Sequence, residues 1–408
     1  MIKKVSAGRA WRKTECWPLY KFMLTLSEMI IWNLNLRHLR ALASIARLGS
    51  ISAAAEAINL TQPAITQALA KLEIQLGQPL FERRANGMTA TPAALLLAPR
   101  IERALAHIAS QRVTMAQVRA LIMLADRGSY ASASAVTGLA QPSLHRAIGD
   151  LSVALKRVLV ERRGKGIMLT DQGKRTVRTF RLARAEFEAG LTELASLQGI
   201  ETGRITIGAM PLSRARLLPS AVSAFYRAYP DVRINIVEGS FQELIEPLRD
   251  GELDLMIGAL RDPSPGADVL QQPLFADRPV VLGRVGHPLS LTSVTISDLA
   301  LYPWTVPAPG APLRIQWEKM FTDADVQPPN VPIECGSVIT IRQILLESDF
   351  LTLLSPDQVA VELEAGWLTK IADTPEGLTR TIGITTRHGW RPTGMQNAFV
   401  RLLSEVTL

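Results

Sequence analysis

Cysteine is nearly absent from this 408-residue chain. Cys16 and Cys335 are the only two, too few for a disulfide scaffold or a Cys-rich zinc site. The five histidines are scattered, with no His-Glu-x-x-His spacing, which argues against a zincin-type metal centre. No stretch approaches ~18 consecutive apolar residues, so a membrane span is not expected. The start, MIKKVSAGRAWRKTECW, is basic but lacks an apolar run before a small-residue cleavage site, which fits a cytoplasmic protein. A Gly-rich phosphate loop and a nucleophile elbow are also missing. Cys335 has no nearby histidine to activate it, and His287, before Pro288, reads as a loop residue. No catalytic residue, metal or cofactor is expected, and the chain does not read as an enzyme.

Apolar residues make up 47% of the chain, ample for packed cores, and the length fits two to four domains of roughly 100–200 residues each. The net charge of +8 is unevenly spread. Lys and Arg outnumber Asp and Glu by 28 to 14 over residues 1–201, and fall behind by 17 to 23 over residues 202–408. A basic front half on an acidic back half suggests a polyanion-binding module joined to something else. The plainer reading is a solvated basic surface.

The basic half contains a repeat. Residues 36–91 match residues 115–170 at a constant offset of 79, with no gap and with 19 of 56 pairs identical. Gly49/Gly128, Gln62/Gln141, Pro63/Pro142, Arg83/Arg162 and Arg84/Arg163 are among them. The same supersecondary unit therefore occurs twice. In the first copy, Leu39, Leu42, Ala43 and Ala46 recur at helical spacing, and Gly49 stops that helix. Ser50 can cap a second, alanine-rich helix. Thr61 caps a third that begins Gln62-Pro63, with the proline in the first turn, where its missing N–H costs little. Ile65, Leu69, Leu72 and Leu76 form the buried stripe of the third helix, so Thr66, Gln67 and Lys71 point elsewhere. Phe81-Glu82-Arg83-Arg84, a short turn and Met88-Thr89 read as a two-stranded wing. The whole is a winged helix-turn-helix, whose third helix can enter a major groove.

The segment SISAAAEAINLTQPAITQALAKLEIQLGQPLFERR closely resembles the DNA-binding region of LysR-type transcriptional regulators, and the resemblance covers residues 36–408. It implies that the helix start, Thr61, Gln62, Pro63 and Ala64, lies against double-stranded DNA, with Thr66 and Gln67 as further base or phosphate contacts. Glutamine can pair bidentately with adenine, and a small alanine permits close approach. Lys71, Arg83 and Arg84 would sit on phosphates. The competing reading is that Gln62 and Thr66 merely cap and solvate a helix.

The second copy departs from the first. Thr61 becomes Ala140, removing a cap worth roughly 0.5–2 kcal/mol. Ala70-Lys71 becomes Gly149-Asp150, which places a negative charge where a phosphate would lie. Gln141, Pro142, Ser143, His145 and Arg146 could still read DNA, and Arg162, Arg163 and Lys165 keep the wing basic. Copy one is expected to be the main reader, and copy two a weaker reader or a support for the dimer arm. After copy two, Val177, Phe180, Phe187, Leu191 and Leu194 make an apolar seam, with Arg184 its polar member. This resembles the linker helix that pairs regulator subunits. After copy one, Ile101, Leu105 and Ile108 make a shorter stripe that Pro99 kinks or begins. The alternative is that such stripes pack only within their own subunit. Two readers per chain would make four in a dimer.

In the acidic half, Arg204–Gly208, Val232–Ile236 and Leu253–Ala259 read as strands, separated by a helix that Pro211–Ser213 leads into and that reaches Tyr226, and by another around Leu244–Leu248. This order predicts βαβ units and a parallel sheet. A second set starts near Pro279 and includes a helix from Ser337 to Leu346, and the chain returns near Leu378–Thr386. This half resembles the two-lobed effector domain of the same family, and Glu238–Gly258 most resembles its galactose-binding-protein-regulator branch. The resemblance implies a small-molecule effector in the cleft between lobes: a sugar, a sugar acid or an aromatic acid. Mapped here, Met210, Leu212, Ser213, Thr305, Val306, Ser337 and Val338 are the effector candidates. Free N–H groups at helix starts suit a carboxylate or hydroxyl, although Ser213 and Ser337 could be simple N-caps. Trp304 and Trp317 could stack on a sugar, but core or hinge packing is the simpler expectation.

The expected architecture is thus multidomain: two tandem winged helix-turn-helix units, mostly α, with linker helices, then a two-lobed α/β periplasmic-binding-protein-like effector domain. Residues 1–35 form an extension, which would be absent if Met23 or Met29 is the natural start. The first unit spans 36–95, its short linker helix 96–112, the second unit 113–172 and its dimerisation helix 173–200. Effector lobe I takes 202–276 and 379–408, and lobe II 277–378. The expected activity is ligand-controlled DNA binding by a homodimer or homotetramer. The alternative is a cytoplasmic solute receptor or enzyme with degenerate helix-turn-helix units used for oligomerisation.

Overall fold

The computed structural model describes residues 30–84, 87–164, 166–291 and 293–406. It divides into two units, one ending at Gly203 and the other starting at Arg204.

In the first unit one order of elements occurs twice. Helices α1 (Leu36–Leu48), α2 (Ile51–Ala57) and α3 (Gln62–Leu76) lead to the hairpin β1 (Phe81–Arg84) and β2 (Gly87–Ala90), then to α4 (Pro92–Ile108). Helices α5 (Met115–Arg127), α6 (Tyr130–Thr137) and α7 (Gln141–Leu155) lead likewise to β3 (Val160–Arg163), β4 (Gly166–Leu169) and α8 (Asp171–Leu197). The caps are those the sequence announces. Gly49 ends α1 at φ +71, a conformation glycine adopts without strain. The Ser50 hydroxyl accepts the Ala53 N–H at 3.1 Å, and the Thr61 hydroxyl accepts the Ala64 N–H at 3.4 Å. Ile65, Leu69 and Leu72 are buried as expected, and Leu76 is half-buried.

The tail helices differ from expectation in two ways. Helix α4 is continuous from Pro92, capped by Thr91, so the boundary drawn at 95/96 cuts through it and Pro99 lies in its interior. The seam expected to pair subunits is instead filled within the chain. Val177, Phe180, Phe187 and Leu194 are buried in a single core that runs through both copies. That core includes Leu97, Ile101, Ala104 and Ile108 of α4. Of the 1–35 extension, residues 1–29 lie outside the described residues. Ile31 and Leu34 are buried in the same core, and Trp32 lies about 6.0 Å from the Arg119 guanidinium on α5.

The second unit has two main sheets. The larger has the order β6-β5-β7-β14-β8, formed by β5 (Gly203–Ala209), β6 (Val232–Glu238), β7 (Leu255–Ala259), β8 (Val269–Asp277) and β14 (Arg380–Arg387). It is mixed rather than parallel. Strand β5 runs parallel to β7, while β14 is antiparallel to both β7 and β8. The returning strand needs no crossover helix, so it can pair antiparallel. The Pro211–Ser213 lead-in is a 3-10 turn, Pro211–Arg214, and the helix that follows is α9 (Leu217–Ala228). Pro219 falls in the first turn of α9, where its missing N–H costs no helical hydrogen bond. Helices α10 (Phe241–Arg249) and α13 (Gly394–Val406) complete this lobe.

The smaller sheet has the antiparallel order β12-β9-β13, from β9 (Val280–Arg284), β12 (Thr352–Leu354) and β13 (Leu368–Asp373). Beside it lie the parallel pair β10 (Thr305–Val306) and β11 (Ile333–Glu334), with α11 (Pro312–Thr322) and α12 (Val338–Glu347). Its core holds Trp304, Trp317 and Phe321 in edge-on contacts of 5.2–5.7 Å, so the two tryptophans are core residues. The chain crosses between the sheets after β8 and again before β14. There Arg380 Nε donates to Asp277 Oδ2 at 2.6 Å, and the Thr374 hydroxyl donates to the Pro279 carbonyl at 2.8 Å.

Candidate nucleic-acid interface and effector site

On α3 the burial of Ile65, Ala68, Leu69 and Leu72 turns one face inward and fixes what the other presents. Thr61, Gln62, Pro63, Gln67 and Lys71 are exposed, and Ala64 and Thr66 are half-buried. The Thr66 hydroxyl donates back to the Gln62 carbonyl at 3.1 Å, which leaves its lone pairs outward. Beyond the helix, Arg83 and Arg84 are exposed on β1, and Arg84 meets Glu82 at 3.1 Å in a solvated pair. The hairpin is tied down by a residue the sequence reading missed. Glu73, on α3, accepts the Leu80 and Phe81 N–H groups at 2.8 and 3.4 Å. A lone acid within the Leu72-Glu73-Ile74-Gln75-Leu76 stretch is the signal that could have found it.

Helix α7 repeats this arrangement less firmly. Gln141, Pro142, Ser143, His145 and Arg146 are all exposed, and Arg162 is exposed on β3. The side chain of Arg163, like Lys165 as a whole, lies outside the described residues. Ala140 supplies no capping bond, and Lys156 closes the helix at φ +53 where the first copy has Gly77. The counterpart of Glu73 is Ser152, whose hydroxyl merely donates to the Ile148 carbonyl at 2.9 Å. The ring of His145 lies 5.4 Å from that of Tyr130.

The two helix sets are joined through α4 and α8 by a charged cluster that sequence reading overlooked. Arg100, only 4% exposed, donates from Nε and Nη2 to Glu193 at 3.1 and 2.6 Å, and from Nη1 to Glu186 at 3.2 Å. Glu186, itself buried, also accepts from Arg103 Nε at 2.9 Å. Burial lowers the Arg100 pKa, but the two carboxylates outweigh it and raise the value overall. An arginine on the apolar stripe of α4 was the available sign of a buried acid opposite.

In the second unit the effector candidates fall in two groups. Met210 and Ser213 share the turn after β5, where the buried Ser213 hydroxyl donates to the Met210 carbonyl at 2.9 Å. Leu212 is buried in the core of the same lobe. In the other lobe, the β10–β11 pairing and a Cys335 N–H to Val306 carbonyl bond of 3.0 Å bring Thr305 and Val306 close to Ser337 and Val338. Val306 is fully buried in that core, and Val338 is half-buried against it. Ser337 caps α12, its hydroxyl accepting the Thr340 N–H at 3.4 Å. Thr305 has no exposed surface, and its hydroxyl has no hydrogen-bond partner. His287 is structural. Its Nδ1 accepts the Leu289 N–H at 3.1 Å, its Nε2 faces the Asp349 carbonyl at 3.2 Å, and burial lowers its pKa.

Among the described residues no helix is long and apolar enough to cross a membrane, and no cluster of His, Cys, Asp and Glu could hold a metal. The profile of the bacterial regulatory helix-turn-helix protein, lysR family, matches residues 36–95 and again 115–174. That of the LysR substrate binding domain matches residues 198–407. The chain is therefore a transcriptional regulator, a DNA-binding protein with an effector-binding domain, and not an enzyme. It belongs to the LysR family, whose regulators bind DNA and small-molecule effectors. It is 32% identical over 368 residues to the HTH-type transcriptional regulator GalR of Pseudomonas putida, covering 87% of this chain and 93% of that protein. It is 30% identical over 281 residues to the SDS degradation transcriptional activation protein of a Pseudomonas species, covering 67% of this chain and 90% of that one. The fold is similar to full-length OxyR from Pseudomonas aeruginosa, with a TM-score of 0.55 at 22% identity over 71% of this chain and 93% of that one. It is similar also to CbnR, with a TM-score of 0.52 at 16% identity over 72% and 98%.

Proposed function

We propose that both copies are winged helix-turn-helix units that read duplex DNA, and that the second unit is a two-lobed, periplasmic-binding-protein-like effector domain, in a cytoplasmic regulator. Gln62, Thr66 and Gln67 address base edges from the helix start at Thr61, Pro63 and Ala64, while Lys71, Arg83 and Arg84 take phosphates. Gln141, Pro142, Ser143, His145 and Arg146, with Arg162 and Arg163, form the second reader. The observation that carries this reading is the exposure of glutamine and its polar followers at matching positions of α3 and α7. The double family match supports it.

Copy one is the stronger reader, because its helix is capped by Thr61 and its wing is anchored by Glu73. The effector, a sugar or an organic acid, is held near Met210, Ser213, Thr305, Ser337 and Val338. Self-association into a dimer or tetramer uses surfaces other than the α8 seam, which is filled within the chain.

The test is a footprint of the full chain on the DNA upstream of its own gene. Gln62→Ala is expected to abolish protection at moderate salt, and Gln141→Ala to weaken it. A larger loss from Gln141→Ala would reverse the ranking of the copies, and sequence-blind binding that salt removes would refute the reading.

A further inference from the structure

The tail helices relate the two copies by rotation. Leu97 on α4 lies against Gly190 on α8, where an added Cβ would come within 3.2 Å of the leucine. Arg103, further along α4, pairs with Glu186, earlier on α8. The helices are therefore antiparallel, and continuing the Leu97–Gly190 register sets Ala104 opposite Ala183. These alanines are 79 positions apart, the offset of the repeat, and neither has any exposed surface. Equivalent helices that run antiparallel and meet at equivalent residues are related by a two-fold rotation, as in an isologous dimer interface.

A second, independent place shows the same exchange. Leu76, Ile101 and Phe187 line one crevice beside the seam, and Leu155, Phe180 and Ile108 line another. Shifting each residue by 79 into the other copy converts the first set into the second. The chemistry differs most at the charged positions, and Leu97 in the first crevice corresponds to Thr176 in the second. Arg100 and Glu186 stand bonded in the first crevice, whereas Thr179 and His107 stand in the second, which widens to a cavity of about 390 Å³.

We propose that this internal pseudo-dimer lets a single chain read a complete operator made of two inverted but unlike half-sites. The inference rests on both copies being DNA readers. A duplex backbone has two-fold axes normal to its length, so heads related by such an axis meet equivalent phosphates on an inverted repeat. Two identical heads would demand identical halves. Here Gln62 and Gln141 are alike, but Thr66 and Gln67 correspond to His145 and Arg146. The shared glutamine suits adenine in both halves. Arg146 presents a guanidinium fork that suits guanine O6 and N7, and does so in one half alone.

The test is selection of duplexes from a random library by the full-length protein, its Arg146→Ala variant and its Gln67→Ala variant. Arg146 and Gln67 are exposed, so neither change disturbs the core. The unmodified protein is expected to select two inverted half-sites that share one base and differ in a guanine. Arg146→Ala should lose that guanine from one half, with a roughly 10- to 100-fold drop in affinity for the selected duplex, and leave the other half intact. Gln67→Ala should relax the opposite half. A symmetric motif, a single half-site, or both variants altering the same half would overturn the inference while leaving DNA binding standing. Failure of the unmodified protein to enrich any duplex would instead overturn the DNA-reading function itself.

Discussion

Arg100→Ala tests whether the α4–α8 seam holds the first unit together. The substitution removes a guanidinium that is 4% exposed and makes three hydrogen bonds to two carboxylates. Breaking a buried ion pair by deleting one partner costs about 3–5 kcal/mol, because the other charge is stranded. The low end applies here, since Glu186 keeps Arg103 and the Glu193 side chain is 21% exposed and can rehydrate. At roughly 2–4 °C per kcal/mol for a unit of this size, about 3 kcal/mol lowers its melting midpoint by roughly 6–12 °C. Hydrogen exchange read on α4 and α8 peptides of the full chain localises the loss. A triple change of Arg100, Glu186 and Glu193 to Met should recover most of it, because apolar residues of similar length can replace a buried ionic cluster at little cost. A midpoint shift below about 2 °C for Arg100→Ala, or a triple variant no better than the single, would refute the reasoning.

Other outcomes follow from the same geometry. Ala140→Thr restores the missing cap of α7 and should slow its amide exchange by an amount equivalent to about 1 kcal/mol, and no slowing would show that Ala140 does not occupy a working cap position. Glu73→Ala should free the Leu80 and Phe81 N–H groups and weaken DNA binding through the loosened wing, whereas Ser152→Ala should leave binding unchanged. Burial holds the His287 pKa below its usual 6.5, so the unfolded chain binds the extra proton first. The stability from His287 is therefore complete above pH 6.5 and is lost as the pH falls below it. Denaturation followed by the buried Trp304 and Trp317 should show this slope, and His287→Gln should flatten it. An unchanged slope in that variant would assign the acid sensitivity elsewhere.

Much of the DNA-binding unit was legible in sequence because its signals are local. Caps at Ser50 and Thr61, the glycine stop at Gly49 and the stripe Ile65–Leu69–Leu72 each act within a few residues, and the repeat states them twice. The partner of the seam was not legible. The stripe on α8 reads the same whether a second subunit or α4 covers it, and only the fold brings Arg100 within reach of residues 86 and 93 positions away. In the second unit, strand β14 follows a whole lobe, so its antiparallel placement left no trace in local pattern. The effector candidates were chosen by family position. Met210, Leu212 and Val306 are core residues, and family position alone does not distinguish a cleft wall from a packed interior.

On the proposed function, with α3 and α7 both reading DNA from one chain, the way the regulator and its targets can diverge also changes. In a pair of identical subunits, any substitution in the reading helix alters both halves of the binding site at once, so a single base change in the DNA cannot compensate for it. Here α3 and α7 are encoded separately. A change at Arg146 leaves Gln67 untouched, and one compensating base change in one half of one promoter is enough to follow it. On that reading, the repeated segment would give this regulator a stepwise path to new targets, with one head retaining its grip while the other drifts.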